Sequence, residues 1–170
     1  QGVFVDCQAH VREVADDKTK GFKAYVYQRW FELAPTAGKG ERWTRHVHRP
    51  QRIEALARFR LGSHGLAIET GRRAGQGQVP RDQRVCRCCG MGEVWQMRED
   101  ELHMLQCPAY VDIRQRYPDL FDGLPTAHAW SDPHMRSFMN RGNDGVAWNR
   151  LADMLIEMNA RRTSMLGRTS

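Results

Sequence analysis

Long apolar runs are missing from this sequence. A membrane-spanning helix needs about 18 to 20 consecutive apolar residues, and no stretch approaches that length. The N-terminus also lacks the charged-then-apolar leader of a secretory signal. We therefore expect no membrane partner and an intracellular protein. Because Gln1 stands where an initiating Met would be, we also expect the sequence to be a piece of a longer polypeptide.

Catalytic motifs are missing as well. There is no recognisable Ser/His/Asp set, phosphate-binding glycine loop or nucleophile elbow. Asp16 and Asp17 form an acidic pair of the kind that holds catalytic magnesium in polymerases, but they fall within a helical pattern near the chain start rather than in a hairpin. The sequence predicts no enzyme activity of its own, and it leaves open a catalytic domain upstream of Gln1.

The sequence also lacks the alternation of apolar and polar residues that is typical of strands. Its apolar residues recur instead at helical spacing. The last pattern is the clearest, because its apolar residues fall within an arc of about 120° on a helix. We interpret this stripe as core rather than as a partner groove; its members are Ala147, Trp148, Leu151, Met154, Leu155 and Met158. Residues 119–133 are predicted to be irregular. The predicted helices cover residues 6–33, 50–61, 66–68, 100–107, 109–117 and 144–161.

Positive charge is concentrated in one segment. The chain carries +6 overall. Between Arg42 and Arg84 there are ten arginines, no lysine and three acidic residues. The net charge of this segment is therefore +7, and that of the rest of the chain is −1. Arginine presents a planar fork of N–H groups that matches phosphate oxygens. The segment therefore suits phosphate recognition, although a solvated surface would have the same composition.

Four of the five cysteines lie between residues 86 and 107. A disulfide framework would spread cysteines along the chain, whereas such a cluster with a nearby histidine is typical of a metal site. Cys86 and Cys89 form a C-x2-C pair, and His103 and Cys107 stand four positions apart, on one face of a helix. Four such ligands complete a tetrahedral zinc sphere, which predicts a structural zinc ion with no open position for water.

Cys88 complicates this assignment, because a thiol beside Cys89 could replace it. The spacing of Cys86 and Cys89 fits a zinc knuckle, and that of Cys86 and Cys88 does not, so we interpret Cys88 as a spare thiol. A redox pair of Cys86 and Cys89 is the alternative. His46 and His48 have no acidic or thiol partner nearby, and we interpret them as ordinary residues.

Several short runs follow one another in a fixed order: Arg58 to His64, Glu69 to Arg72, Cys86 to Gly90, Glu99 to Tyr110, and Arg114. Together they resemble the zinc-binding C-terminal region of non-LTR (LINE-type) retrotransposon reverse transcriptases. The resemblance covers about residues 52–121. It implies zinc binding through Cys86, Cys89, His103 and Cys107, and a role in holding template RNA or target DNA. The polymerase motifs are absent.

These observations predict a mainly α fold in which a small, irregular zinc-knuckle module is flanked by amphipathic helices. The expected segments are an N-terminal helical segment and linker (1–40), an Arg-rich helical segment (41–80), a CCHC zinc-binding module (81–118), and a loop with the C-terminal amphipathic helix (119–170). The expected function is a zinc-stabilised nucleic-acid-binding module, which favours the nucleus over the cytoplasm. The alternative is a structural zinc or protein-interaction module that docks on another domain of its parent polypeptide.

The expected phosphate contacts are arginines, with Trp43 as a candidate for stacking on a base. On an ideal helix from Pro50, Arg49, Arg52 and Arg60 lie on one side and Arg58 lies opposite, so Arg58 is expected to contribute least. The full expected set is Arg42, Arg45, Arg49, Arg52, Arg58, Arg60, Arg72 and Arg73.

Overall fold

The computed structural model describes residues 30–31, 41–71, 78–89, 97–125 and 130–167. This part of the chain is mainly helical, as predicted, and it contains no strand; one isolated antiparallel bridge joins Val85 and Arg98. Six α-helices occur in it: α1 (Pro50–Arg60), α2 (Ala67–Thr70), α3 (Glu101–Gln106), α4 (Val111–Gln115), α5 (Asp132–Met139) and α6 (Gly145–Gly167). Four 3-10 turns occur as well, at Arg42–Arg45, Arg81–Gln83, Pro108–Tyr110 and Pro118–Leu120.

Helix α6 is the central element of the core. It begins where the carboxylate of Asp144 accepts a hydrogen bond from the Ala147 amide at 2.9 Å, and it runs one and a half turns beyond the predicted end. Its apolar stripe is buried except for the half-buried Ala147, and Met154 and Met158 are at 0% exposure. The interpretation of this stripe as core is therefore confirmed.

Helix α1 packs along α6. Pro50 occupies its first position, where a missing amide hydrogen costs nothing, and Gly62 follows its end at a φ of +57°. The helix itself is confirmed, but its apolar pattern is only partly inward. Leu56 and Phe59 are buried, whereas Ile53 and Leu61 are 38% and 56% exposed.

Helix α5 lies partly within the stretch that was predicted to be irregular, and that prediction is wrong from Asp132 onward. Nδ1 of His134 accepts a hydrogen bond from the Ser131 amide at 3.0 Å, which caps the first turn. Pro133 sits in that first turn, where proline is tolerated. The helix buries Met135, Phe138 and Met139. This packing stabilises the helix, and the local sequence around Pro133 does not reveal it.

The predicted helix at residues 6–33 lies outside the described residues except for Trp30 and Phe31. Both of these side chains are buried. The indole of Trp30 donates a hydrogen bond to Asp132 at 2.7 Å, which attaches this segment to α5. The acidic pair at residues 16–17 and Cys7 also lie outside the described residues. None of the described helices is both long and apolar enough to cross a membrane.

Candidate metal centre

Helix α3 presents two of the four predicted ligands. Its N-cap is Asp100, whose carboxylate accepts a hydrogen bond from the His103 amide at 2.9 Å. One turn later, the Cys107 amide donates to the His103 carbonyl at 2.7 Å. Because residues four apart share a helix face, the imidazole of His103 and the thiol of Cys107 project toward the same side.

The other two predicted ligands lie on a loop that follows the bridge between Val85 and Arg98. The Cys88 amide points to the Cys86 sulfur at 3.4 Å, which turns the chain tightly around that sulfur. This turn carries Cys89 back toward α3. Gly90, which follows the cysteines, lies outside the described residues.

The four predicted ligand atoms converge, with every pair within 4.8 Å. The sulfurs of Cys86 and Cys107 are 3.9 Å apart, and the Cys89 sulfur is 3.6 Å from Nε2 of His103. A tetrahedral ion with Zn–S near 2.3 Å and Zn–N near 2.05 Å requires edges of about 3.8 Å between sulfurs and about 3.6 Å between sulfur and nitrogen. The two separations are near those edges, and the four side chains lie close enough together to hold a metal ion.

The electrostatics of the site also suit a cation. The hydrogen bond to Cys107, together with burial, raises the pKa of the Cys86 thiol to about 12. Burial lowers the pKa of His103 and so favours the neutral imidazole that binds metals. A divalent cation bound at this site would displace the proton of Cys86 and bind its thiolate.

Cys88 is buried but stands outside the group of four. Together with Cys86 and Glu99 it forms a second close set, and its sulfur lies 4.0 Å from the Glu99 carboxylate. Glu99 is already engaged: its oxygens accept from Arg162 at 2.6 and 2.8 Å and from the Ala67 amide at 2.8 Å. The second set is therefore the weaker candidate for a metal.

Several arginines lie near the metal centre. Arg84 donates to the Ile68 carbonyl at 2.9 Å and joins the loop to α2. Gly71 makes room for it, since a Cβ there would lie 2.9 Å from Nε of Arg84. Two further arginines near the centre were not predicted from the sequence to belong to the site. Arg114 donates to the Cys107 carbonyl at 2.8 Å, and Arg162 reaches Glu99 from α6.

Two arginines of the predicted nucleic-acid set have partners within the chain. Arg60 is 4% exposed, pairs with Glu41 at 2.5 Å, and lies 4.0 Å from the Phe31 ring. Arg52 forms two hydrogen bonds of 2.6 Å with Asp153 in a partly exposed ion pair. Arg52, Leu56 and Arg60 are spaced four residues apart and share one face of α1, and Leu56 on that face is buried. The structure therefore does not favour Arg60 or Arg52 as phosphate contacts.

The expectations for Trp43 and Arg58 also change. Trp43 is 8% exposed, and its indole donates to Glu41 at 2.7 Å, so its ring is packed and not offered to a base. Arg58 lies on the outer face of α1 and was expected to contribute least. It is exposed and paired with Glu54 at 2.6 Å, which makes it more accessible to a ligand than Arg52 or Arg60.

Other arginines remain on the surface. Arg42, Arg45 and Arg49 are exposed around the turn that leads into α1. Near the cysteine loop, Arg81, Arg87 and Arg98 are exposed. Partial desolvation of its guanidinium group and the nearby charge of Arg98 lower the pKa of Arg81, although most of the residue is exposed. Arg72 and Arg73 lie outside the described residues.

No protein-family model, curated protein or solved structure matches this chain. The resemblance to the zinc-binding region of non-LTR reverse transcriptases therefore stays a prediction. Within the described residues, the groups of possible metal ligands do not include His46 or His48.

Proposed function

We propose that this chain is a zinc-stabilised nucleic-acid-binding module. Its zinc ligands are Cys86, Cys89, His103 and Cys107, and its phosphate contacts are surface arginines. The observation that carries the proposal is the convergence of these four ligand atoms within 4.8 Å. Thiolate and imidazole ligands in tetrahedral arrangement favour zinc over magnesium or calcium, which prefer oxygen.

A structural role for the zinc fits better than a catalytic one. Four protein ligands fill a tetrahedral sphere and leave no position for water or substrate. Cys86, His103 and Cys107 are buried, so the ion would tie the cysteine loop to α3 inside the protein. The filled site would have a formal charge of −1. Arg114 donates a hydrogen bond to the Cys107 carbonyl, so its positive charge lies near enough to offset that of the site.

Cys88→Ser is expected to retain one zinc ion per chain, because the Cys88 sulfur stands outside the four-ligand group. Metal analysis of the purified variant against the wild-type chain measures this directly. Cys89→Ser is the matched control, since it makes the same chemical change at the adjacent residue and is expected to weaken zinc binding by one hundredfold or more, on the order of losing one ligand. A Cys88→Ser chain that loses its zinc would show that the cysteine pairing is different.

Nucleic-acid binding is supported by the charge that remains on the surface. After Arg52 and Arg60 are assigned to internal ion pairs, exposed arginines persist before α1 and around the cysteine loop. The second group flanks the cysteine loop that the proposed zinc ion would hold in place. The resemblance to the reverse transcriptase region supports the same proposal, with template RNA or target DNA as the partner and the nucleus as the site of action.

One observation favours a second candidate function, a structural or protein-interaction zinc module. Arg52 and Arg60 are satisfied by Asp153 and Glu41 within the chain, which removes part of the charge that first suggested phosphate binding. In that case the module would dock on another domain of its parent polypeptide. A salt titration separates the two candidates.

For the zinc-loaded chain, Arg45→Gln/Arg49→Gln is expected to flatten the dependence of log K on log salt for single-stranded nucleic acid. Each lost phosphate contact removes about 0.7 from that slope, so the double variant should lose about 1.4 if both residues make contacts. Fluorescence anisotropy over a salt series measures the slope.

Arg136→Gln serves as the control, because Arg136 is exposed on α5 and lies outside the arginine-rich segment. It should leave the slope unchanged. A wild-type chain without measurable affinity at low salt, or a double variant with the wild-type slope and affinity, would favour the protein-interaction module.

A further inference from the structure

The cysteines of the metal centre differ in how far solvent reaches them. Cys86 and Cys107 are 1% and 0% exposed, and Cys88 is 7% exposed. Of the four cysteines in the part of the chain that the structure describes, Cys89 alone is half-buried. An oxidant that diffuses in from solvent therefore meets the Cys89 sulfur first. Zinc binding would also keep this sulfur as a thiolate, and oxidation of cysteine follows thiolate character and exposure.

Cys86 is placed to react with an oxidised Cys89. The sulfurs of the two residues lie within 4.8 Å of each other, and the residues form a C-x2-C pair. This spacing is that of thiol–disulfide motifs. The loop that a bond between them closes is short, so its closure costs little entropy.

The two other thiols are poorer partners for Cys89. Cys88 is adjacent in the chain, and adjacent Cα atoms are about 3.8 Å apart, which is closer than the roughly 4.4 to 6.8 Å of ordinary disulfides. The Cys107 sulfur is also within 4.8 Å of Cys89, but it stands at the end of α3. A bond to it would close a longer loop and would have to join two separate elements.

From these positions we infer that Cys89 is an oxidation site, at which a peroxide converts Cys86 and Cys89 into a disulfide and releases the zinc ion. The inference rests on the proposed zinc site. The C-x2-C pair would then bind zinc when reduced and form a redox pair when oxidised, so oxidants would control the metal content of the chain.

The chemistry takes two steps and consumes one peroxide. The Cys89 thiolate attacks one peroxide oxygen, the O–O bond breaks, Cys89 becomes a sulfenic acid, and hydroxide leaves. The Cys86 thiolate then attacks the Cys89 sulfur, the S–S bond forms, the S–O bond breaks, and a second hydroxide leaves. Two protons from solvent convert the hydroxides into water. The ion keeps only His103 and Cys107 as ligands and is released.

Loss of the ion would also weaken the proposed binding of nucleic acid. The exposed Arg87 belongs to the cysteine loop, and the exposed Arg81 and Arg98 flank it, so their arrangement depends on that loop. Arg45 and Arg49 precede α1 and do not depend on it. Oxidation is therefore expected to lower the salt slope for single-stranded nucleic acid by about 0.7 for each contact of the first group that is lost.

Hydrogen peroxide added to the zinc-loaded full chain tests the inference. One zinc ion should be released per chain, and two thiols should disappear for each ion released. A chromogenic chelator measures the zinc, a thiol reagent counts the thiols, and peptide mass spectrometry should identify a disulfide between Cys86 and Cys89. Reduction with a dithiol should restore the binding of one zinc ion.

The Cys88→Ser chain provides the comparison, because it lacks the adjacent buried thiol and keeps the four ligands. It should release zinc at the same peroxide concentration and form the same disulfide. A zinc ion that stays bound after Cys89 is oxidised, a disulfide through Cys88 or Cys107, or an unchanged salt slope after zinc release would overturn the inference while the zinc site stands. A reduced chain that binds no zinc would overturn the proposed function as well.

Discussion

His103→Ala and Cys107→Ala are expected to abolish cooperative folding of the region from the cysteine loop through α4. Small structural zinc sites contribute about 10 kcal/mol or more of apparent binding free energy to folding, which equals or exceeds the whole stability of an ordinary domain. The short helices α3 and α4 contain six and five residues, and helices of that length are not stable by themselves in water. Apart from the ion, the cysteine loop is joined to the residues before α3 by backbone hydrogen bonds from Cys86 to Met97 and from Glu99 to Arg84, both at 2.9 Å.

Thermal unfolding followed by circular dichroism, alongside zinc content, measures this expectation. Adding a chelator to the wild-type chain should reproduce the effect of either substitution, and restoring zinc should reverse it. Cys88→Ser is the matched control, because it removes a buried thiol of the same loop while leaving all four ligands. Unchanged melting of His103→Ala, Cys107→Ala and the chelated wild-type chain would show that the centre does not support the fold.

Arg162→Leu is expected to destabilise the zinc-loaded chain by about 3 to 5 kcal/mol, the range measured when one partner of a buried ion pair is removed. The Glu99 side chain is 4% exposed and its partner Arg162 is 12% exposed. Leucine would leave the buried Glu99 carboxylate with the Ala67 amide at 2.8 Å and the weak thiol donor of Cys88 at 4.0 Å as its partners among the described residues. The substitution would also remove the contact that holds the C-terminal part of α6 to the segment before α3.

Chemical denaturation at saturating zinc measures the change in the free energy of unfolding. Arg58→Leu provides the comparison, because its pair with Glu54 is on the surface, with side chains 60% and 57% exposed. Exposed pairs contribute at most about 1 kcal/mol. If Arg162→Leu lowered the free energy of unfolding by no more than Arg58→Leu does, the contact between Glu99 and Arg162 would not stabilise the packing of α6 against the metal centre.

Predictability of the fold followed the strength of local patterns. The C-terminal helix and the helix from Pro50 were recognisable because their apolar residues repeat at helical spacing over several turns. Helix α5 was not, because Pro133 reads as a breaker unless the Ser131 cap before it is known. The outward position of Ile53 and Leu61 was equally hidden, since a helix pattern gives the relative positions of residues and not which side meets the core.

The candidate metal centre was more predictable than the arginine surface. Cys86 and Cys89, and His103 and Cys107, are each separated by a spacing that fixes their mutual geometry within one turn. Arg162 gave no such signal, because it reaches Glu99 from 63 residues away along the chain.

The sequence alone thus determined the helical class of the chain and the four residues that could hold a metal ion, because helix periodicity and ligand spacing are both short-range properties of the backbone. Only the tertiary structure decided what the arginines do. Arg52 meets Asp153 at a separation of 101 residues, and Arg60 is enclosed between Glu41, Phe31 and the Met139 carbonyl. A guanidinium group can bind a phosphate or an internal carboxylate equally well, so its role depends on which partner the fold brings within reach.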